Sequence, residues 1–353
     1  MILKKAYIRD LLNTKLINFI LYFFKFKHDG KIIVKSMDGI GDILVRSTLA
    51  KKIIEKYGKD NVVFLMKENY KILGEMLGYT VIGIPRKSEK NFFKRLKLFY
   101  RINKEYSPKK FFNIEFGNDS IVANVNALEK IGVFDDSIMA SPYNNYYTEF
   151  FYFSSKNEKI LKKVKEIGQN ILNEKLTEEK ILPNLQSVFN TNKEEGIVVA
   201  VGSTARNRVC SPLRMQNYIK VLKDFYPTEK ILLVGNGELQ NKYAQDIISL
   251  LPNFEIVNMV DKTSLKEVFE IVASSKFFLG FESGLYNFCF VTRKKGIGLF
   301  RDTSVPFAHD VSWIKNVGPS NTKLKDVKDD IYYDSNINNI SVDDFRKAVE
   351  ELI

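Results

Sequence analysis

A short apolar run, a small-residue turn and an amphipathic helix recur along this chain in two successive series, and that alternation leaves few folds open to it. KIIVKS (31–36) reads as a buried strand, MDGIGD as the turn after it, and ILVRSTLAKKIIEKYG as a helix ending at Gly58. NVVFLM (61–66), TVIGI (80–84) and FFNIEF (111–116) read as further strands, separated by a helix through Leu77 and a basic helix over 89–105. The pattern restarts with GIVVAVGST, KILLVGNGE, FEIVNMV and SKFFLGFESG, each followed by a helical segment. Strands that are apolar throughout belong to sheets covered on both faces, and intervening helices supply the crossovers between parallel strands. The expected class is therefore α/β, with doubly wound parallel sheets.

A polar connector interrupts the series at Pro183 and TNKEEG (191–196), which places a domain boundary within 183–196. The 353 residues suit two domains, since single cores rarely grow beyond about 250–300 residues. The expected division is an N-terminal segment, 1–30, a first Rossmann-like domain, 31–188, and a second, 189–353, with a ligand cleft between the two domains. Residues 140–155 (ASPYNNYYTEFFYFSS) lack a clean period and read either as a loop or lid, or as a strand against the core. After Arg301 the pattern is irregular until SVDDFRKAVEELI closes the chain as a helix.

The N-terminal segment alternates basic and apolar residues: Lys4, Lys5, Arg9 and Lys15, then LINFILYFF, then Lys25 and Lys27. Its apolar run is too short for a bilayer span, which takes about 20 residues, and no small-residue cleavage signal follows it. It reads either as a helix packed on the first domain or as one lying on an anionic membrane surface.

Two cysteines, Cys210 and Cys289, and two histidines, His28 and His309, argue against a disulfide framework, a zinc site and a serine-type triad, and fit a reducing cytosol. The net charge of +12 lies wholly in the first 190 residues, which hold 33 Lys and Arg against 21 Asp and Glu, while the remainder has 21 of each. A basic half suits an anionic partner such as a membrane or a phosphorylated substrate, or else is a solvated lysine face. No nucleic-acid-binding motif accompanies the charge, so nucleic acid is not the expected partner.

Four turns and one loop carry candidate chemistry. Gly39-Ile40-Gly41-Asp42 follows a strand; its glycines allow close backbone approach, and Asp42 is either a helix-capping carboxylate or a general base. Leu44 stands three residues beyond Gly41, so the G-x-G-x-x-G dinucleotide fingerprint fails. VGSTARNR (201–208) places Ser203, Thr204, Arg206 and Arg208 after a strand, which is either a set of small donors and guanidiniums suited to a diphosphate or an ordinary surface loop with solvated arginines. In Gly235-Asn236-Gly237-Glu238 the glycines permit close approach, and Glu238 either accepts from a ribose or sugar hydroxyl or belongs to a plain turn; Thr263 is a candidate helix cap in DKTSL. Glu282-Ser283-Gly284 lies where a strand gives way to a helix, which is either an ordinary cap or an anion site. Turns at the carboxyl ends of parallel strands share one sheet edge, where such sheets bind ligands.

In this order the motifs IGDILVRSTLAKKI, VAVGSTARNR, ILLVGNGE, KTSLKEVFEIVASS and GFESGLYN resemble the heptosyltransferase family of lipopolysaccharide synthesis, glycosyltransferase family 9. The likeness spans residues 31–305. It implies the GT-B fold of two Rossmann-like domains facing a central cleft, an inverting mechanism, and no metal or cofactor beyond a nucleotide-sugar donor, ADP-linked. By position, Asp42 is the base, with Gly39 and Gly41 on the acceptor side. Ser203 and Thr204 hold donor phosphates, and Arg206 or Arg208 neutralises the leaving diphosphate. Glu238 and Thr263 meet the nucleoside, and Glu282, Ser283, Gly284 and Asn287 meet the sugar and phosphates. The chain departs from the family's G-N-D-S-G-P-x-H at Glu282, Leu285 and Asn287. The implied acceptor is a phosphorylated glycolipid or glycan, reached at the inner face of the cytoplasmic membrane. An epimerase or hydrolase of the same fold, or a non-catalytic nucleotide-sugar-binding relative, is the alternative.

Overall fold

In the computed structural model, which describes residues 2–117, 119–135, 141–153, 158–189, 195–301, 308–319 and 336–353, the chain divides into two units, Met1–Leu182 and Pro183–Ile353. The first begins with α1 (Ile2–Tyr22), β1 (Ile32–Lys35), α2 (Ile40–Val45), α3 (Ser47–Tyr57), β2 (Val62–Lys67) and α4 (Lys71–Met76). It continues through β3 (Val81–Ile84), α5 (Arg86–Lys90), α6 (Phe92–Tyr106), β4 (Lys110–Asn113), α7 (Ile121–Asn124), β5 (Glu129–Asp135) and β6 (Glu149–Phe153). Helices α8 (Ile160–Leu172) and α9 (Glu178–Ile181) complete it.

All the pairings are parallel, in the order β3-β2-β1-β4-β5-β6. Strand β1 sits between β2 and β4, with Val34 facing Phe64 on one side and Phe112 on the other. The chain winds outward from β1 in one direction and then, from β4, in the other. Ligands meet sheets of this kind at the carboxyl ends of those two central strands.

The sequence pattern needs correction at four places in this unit. The helix expected over 43–58 is two: α2 begins within the expected turn, at Ile40, and Arg46, at φ −89° and ψ 4°, separates it from α3. Its guanidinium is drawn inward, donating to the Ile114 carbonyl at 2.9 Å and to Asp38 Oδ2 at 2.8 Å. The basic helix divides at Asn91, whose extended backbone and side chain cap α6 by accepting from Lys94 N–H at 3.0 Å. The strand read over 111–116 ends at Asn113, which leaves Glu115 in the loop beyond it. Strand β5 is a further strand, which the apolar pattern of the sequence does not mark. The 140–155 stretch contributes β6, whose exposed Glu149, Phe150 and Phe151 suit a sheet edge, while residues 140, 154 and 155 lie outside the described residues.

Helix α1 packs on α6 and α7. Ile17 and Leu21 are buried in the same core as Leu98, Phe99 and Ile102. Arg95, 3% exposed, clamps the helix by donating to Asp10 Oδ1 at 2.8 Å and to Thr14 Oγ1 at 3.1 Å. Tyr143 donates to the other Asp10 oxygen at 2.6 Å.

The second unit repeats the plan with β7 (Ile197–Ala200), α10 (Pro212–Phe225), β8 (Ile231–Val234), α11 (Glu238–Leu250), β9 (Ile256–Asn258) and α12 (Leu265–Ala273). Next come β10 (Phe277–Phe281), α13 (Gly284–Val291), β11 (Gly296–Leu299), β12 (Ile314–Val317) and α14 (Val342–Glu350). Its order, β12-β11-β10-β7-β8-β9, is the same parallel pattern, with β7 and β10 central. Helix α14 closes one face: the Phe345 ring lies tilted against Tyr218, 4.6 Å between ring centres, and Phe345 and Val349 are fully buried. Each such burial is worth about 1.5–3 kcal/mol. Both cysteines are buried and unbridged, and burial pushes the Cys210 thiol up to about 12.

Candidate functional site

In the first unit, the residues leaving β1 and β4 meet. Lys35, the last residue of β1 and 1% exposed, forms ion pairs with Glu115 and, at 3.0 Å, with Asp119 Oδ2. Glu115 also accepts the Met37 N–H, so the carboxylate after β4 ties down the loop after β1. Burial alone drives an ammonium's pKa down, but Asp119 and Glu115 outweigh it and hold Lys35 above the ordinary lysine value. Burial likewise lifts the Glu115 carboxyl against the pull of Lys35.

That loop leads to Gly39 and Asp42. Gly39 caps α2 at φ −73°, a conformation open to any residue, so the backbone there does not require glycine. Asp42 lies in the first turn of α2 and is half-buried. Burial pushes its carboxyl above the ordinary range, Arg46 pulls it down and Asp38 pushes it up, and hydrogen bonds from the Gly39 and Asp42 backbone favour the ionised form. Arg46, itself fully buried, is anchored by Asp38 and donates from Nε to the Asp42 carbonyl at 3.1 Å. A cavity of about 540 Å³ opens on this edge, lined by Asp38, Glu115 and Asp119, with Lys67 at the end of β2 and Arg9 of α1.

In the second unit the corresponding edge lies between β7 and β10. Ser203 donates from Oγ to the Glu282 carbonyl at 2.8 Å, which joins the two loops. Glu282 is 8% exposed, and its Oε1 lies 3.1 Å from Arg208 NH1. Thr204 is exposed beside them, and Arg206 opens a single 3-10 turn, its side chain outside the described residues. Ser283 caps α13, its Oγ accepting from Tyr286 N–H at 3.4 Å, and Gly284 is that helix's first residue. The remaining N–H groups of that first turn point out along the helix axis, a favourable setting for an anion.

Asn287 faces inward. Its amide donates to the Ser283 carbonyl at 3.0 Å, and its Oδ1 lies 2.9 Å from His309 Nε2. An imidazole thus stands beside Asn287 although the sequence places none at that position in the motif. His309 is itself held by stacking on Phe290 at 3.6 Å between ring centres.

The β8 and β9 turns hold each other. Asp261 Oδ1 accepts the Gly237 N–H at 2.7 Å and the Asn236 amide at 3.0 Å. Gly237, at φ 99°, needs the freedom of glycine. Glu238 begins α11 and is exposed. Gln240 fills the space that Gly202 and Gly235 leave: a Cβ at either would come within 2.1–2.3 Å of its side chain. Thr263 is not the cap of α12; Ser264 takes that place, in a reciprocal pair with Glu267.

The second sheet edge therefore gathers Ser203, Arg208, Glu282, Ser283, Gly284 and Asn287. Glu238 stands one strand away, on the β8 turn, and Thr263 two strands away, beyond β9. Sequence reasoning missed Lys35, Asp38, Arg46, Glu115, Asp119, Gln240, Asp261 and His309. For Lys35 a signal existed, because it is a charge set at the end of an apolar strand run. Among the described residues no group of His, Cys, Asp and Glu is arranged to hold a metal ion.

No family model matches the chain. Among curated proteins it is similar to lipopolysaccharide heptosyltransferase 1 of Campylobacter coli, at 22% identity over 91% of this chain and 98% of that protein. Among solved structures, the E. coli heptosyltransferase WaaC with ADP superposes with a TM-score of 0.70 at 15% identity, covering 92% of this chain and all of the other. A glycosyl transferase family 9 protein of Veillonella parvula gives 0.69 at 12% identity, covering 93% and 98%. The fold is that of these proteins: GT-B, with two Rossmann-like units.

Proposed function

We propose that this chain is an inverting glycosyltransferase that moves a sugar from a nucleotide-sugar donor, ADP-heptose, to a lipopolysaccharide core or a related phosphorylated glycan. The observation that carries this reading is the β7–β10 edge, where a serine hydroxyl, a helix N-terminus and a guanidinium held by Glu282 converge. That set suits a diphosphate, since Arg and helix N-terminal N–H groups both favour phosphate oxygens. Similarity to a heptosyltransferase over nearly the full length of both chains selects glycosyl transfer among the uses of such a site.

In this mechanism Asp42 accepts the proton of the acceptor hydroxyl as its oxygen bonds to the anomeric carbon. The bond from that carbon to the donor phosphate breaks, and the nucleoside diphosphate leaves with the electron pair. A single displacement inverts the anomeric configuration. Arg208, with Arg206 as its neighbour, neutralises the leaving diphosphate, which is where electrostatic stabilisation counts most. Ser203, Thr204, Ser283 and Gly284 hold the phosphates. Glu282 has two tasks, orienting Arg208 and meeting the donor sugar, while Asn287 supports the turn from within. Glu238 and Thr263 stand on the nucleoside side. The raised pKa of Asp42 suits a base, since proton transfer improves as a base's pKa approaches the working pH.

The test is a melting experiment with ADP-, UDP- and GDP-linked sugars. A ligand that binds only the folded chain raises stability by mass action, about 2.7 kcal/mol at a hundred times Kd. A shift with the ADP sugar alone supports the reading; shifts with none of the three would remove it.

A further inference from the structure

Helix α1 has two apolar faces. With about 100° between successive residues, Asp10, Thr14, Ile17 and Leu21 fall on one side, and these are the residues that pack on the first unit. Ile8, Leu12, Leu16 and Phe19 fall within an arc of about 80° on the opposite side, and Phe23 stands in the turn that follows the helix. Those five are exposed: Leu12 by 61%, Phe19 by 60% and Phe23 by 68%. Arg9 and Lys15 flank this outer stripe, one on each side, and both are exposed.

The stripe does not end with the helix. Phe24, also exposed, stands edge-on to Tyr100 of α6 at 4.8 Å, and Lys104 Nζ lies over the same Tyr100 ring at 5.8 Å. Lys104 belongs to a row of exposed cations along one face of α6, with Lys94, Lys97 and Arg101. An apolar stripe flanked by cations and continuous with a basic row is the arrangement that lies in a bilayer interface: apolar side chains enter the acyl boundary while Lys and Arg meet anionic headgroups. No helix among the described residues is long and apolar enough to cross a membrane, so this geometry concerns a surface and not a span.

We infer that the outer face of α1, together with the α6 cation row, is a docking surface for an anionic lipid bilayer. Charge decides for lipid over a second copy of the chain, because two copies meeting through this face would bring their Arg9, Lys15 and α6 cations together. The inference goes beyond the proposed transfer and is independent of which sugar is moved, since vesicle binding is measured without donor or acceptor.

The test is co-sedimentation of the full chain with phosphatidylcholine vesicles, with and without phosphatidylglycerol. The chain is expected to pellet with the anionic vesicles and to be released by salt. Replacing Leu12, Leu16 and Phe19 together by serine should abolish pelleting while leaving the melting temperature unchanged. Each of Lys97→Gln, Arg101→Gln and Lys104→Gln should weaken partition roughly fivefold, the factor corresponding to about 1 kcal/mol per basic residue near such a surface. Equal binding to neutral vesicles, or unchanged pelleting of the triple-serine variant, overturns the inference. So does a lipid-free dimer that the triple-serine variant converts to monomer.

Discussion

The two units share one strand order yet present opposite chemistry at the same edge. In the first, four carboxyl groups, Asp38, Asp42, Glu115 and Asp119, surround two buried cations, Lys35 and Arg46. In the second, a hydroxyl pair and a helix N-terminus accompany a partly exposed guanidinium. Overall charge runs the other way, since the first 190 residues carry the whole positive surplus and the remainder is balanced. The net charge of a half therefore says little about its site. In the basic half the site is rich in carboxylates, and the surplus includes the exposed cations of α1 and α6.

On the proposed mechanism this contrast separates a base from an anion holder, and substitutions should break it unequally. The largest effect is expected for Asp42→Asn: loss of a general base costs about 10²–10⁴ in turnover, while the melting shift with donor stays as in the parent. Lys35→Ala should be a defect of stability, measured by urea unfolding, because removing one partner of a buried ion pair costs about 3–5 kcal/mol. Arg208→Ala should do the reverse, lowering kcat by about 10²–10³ with a stability change on the order of 1 kcal/mol for so exposed a side chain. If Arg208→Ala unfolded the chain and Lys35→Ala did not, the contrast between the two edges would be lost.

The smallest effect concerns pH. As the proposed base Asp42 would act ionised, and burial lifts its pKa, so kcat/KM should fall as pH drops through a value above the ordinary carboxylate range. Asp38 contributes to that lift, so Asp38→Asn should move the acidic limb to lower pH. A limb that stays in place would show that another group sets the profile.

Much of this architecture was legible in the residues. Uniformly apolar runs marked the central strands of both sheets, and small residues after β7, β8 and β10 marked turns that do lie at one sheet edge. What escaped was decided by contacts between segments distant in sequence. Nothing local marks Arg46 as a helix break, because its partners are Asp38 and the carbonyl of Ile114. Glu115 looked like a strand residue, since an acid inside FFNIEF is explained only by Lys35, 80 residues earlier. Gly235 allows close approach of a ligand, yet it and Gly202 make room for Gln240. The two readings left open for the N-terminal segment arose because α1 is apolar on both sides, which blurs the single stripe that a sequence pattern seeks.

Transfer of the sugar to an acceptor is checked by NMR analysis of the products. The chain is incubated with ADP-heptose, with and without a lipopolysaccharide core acceptor. The expected result is free ADP and an acceptor-linked heptose of inverted anomeric configuration, formed only when the acceptor is present. Release or epimerisation of the sugar from the donor alone, at the same rate with and without acceptor, would contradict it.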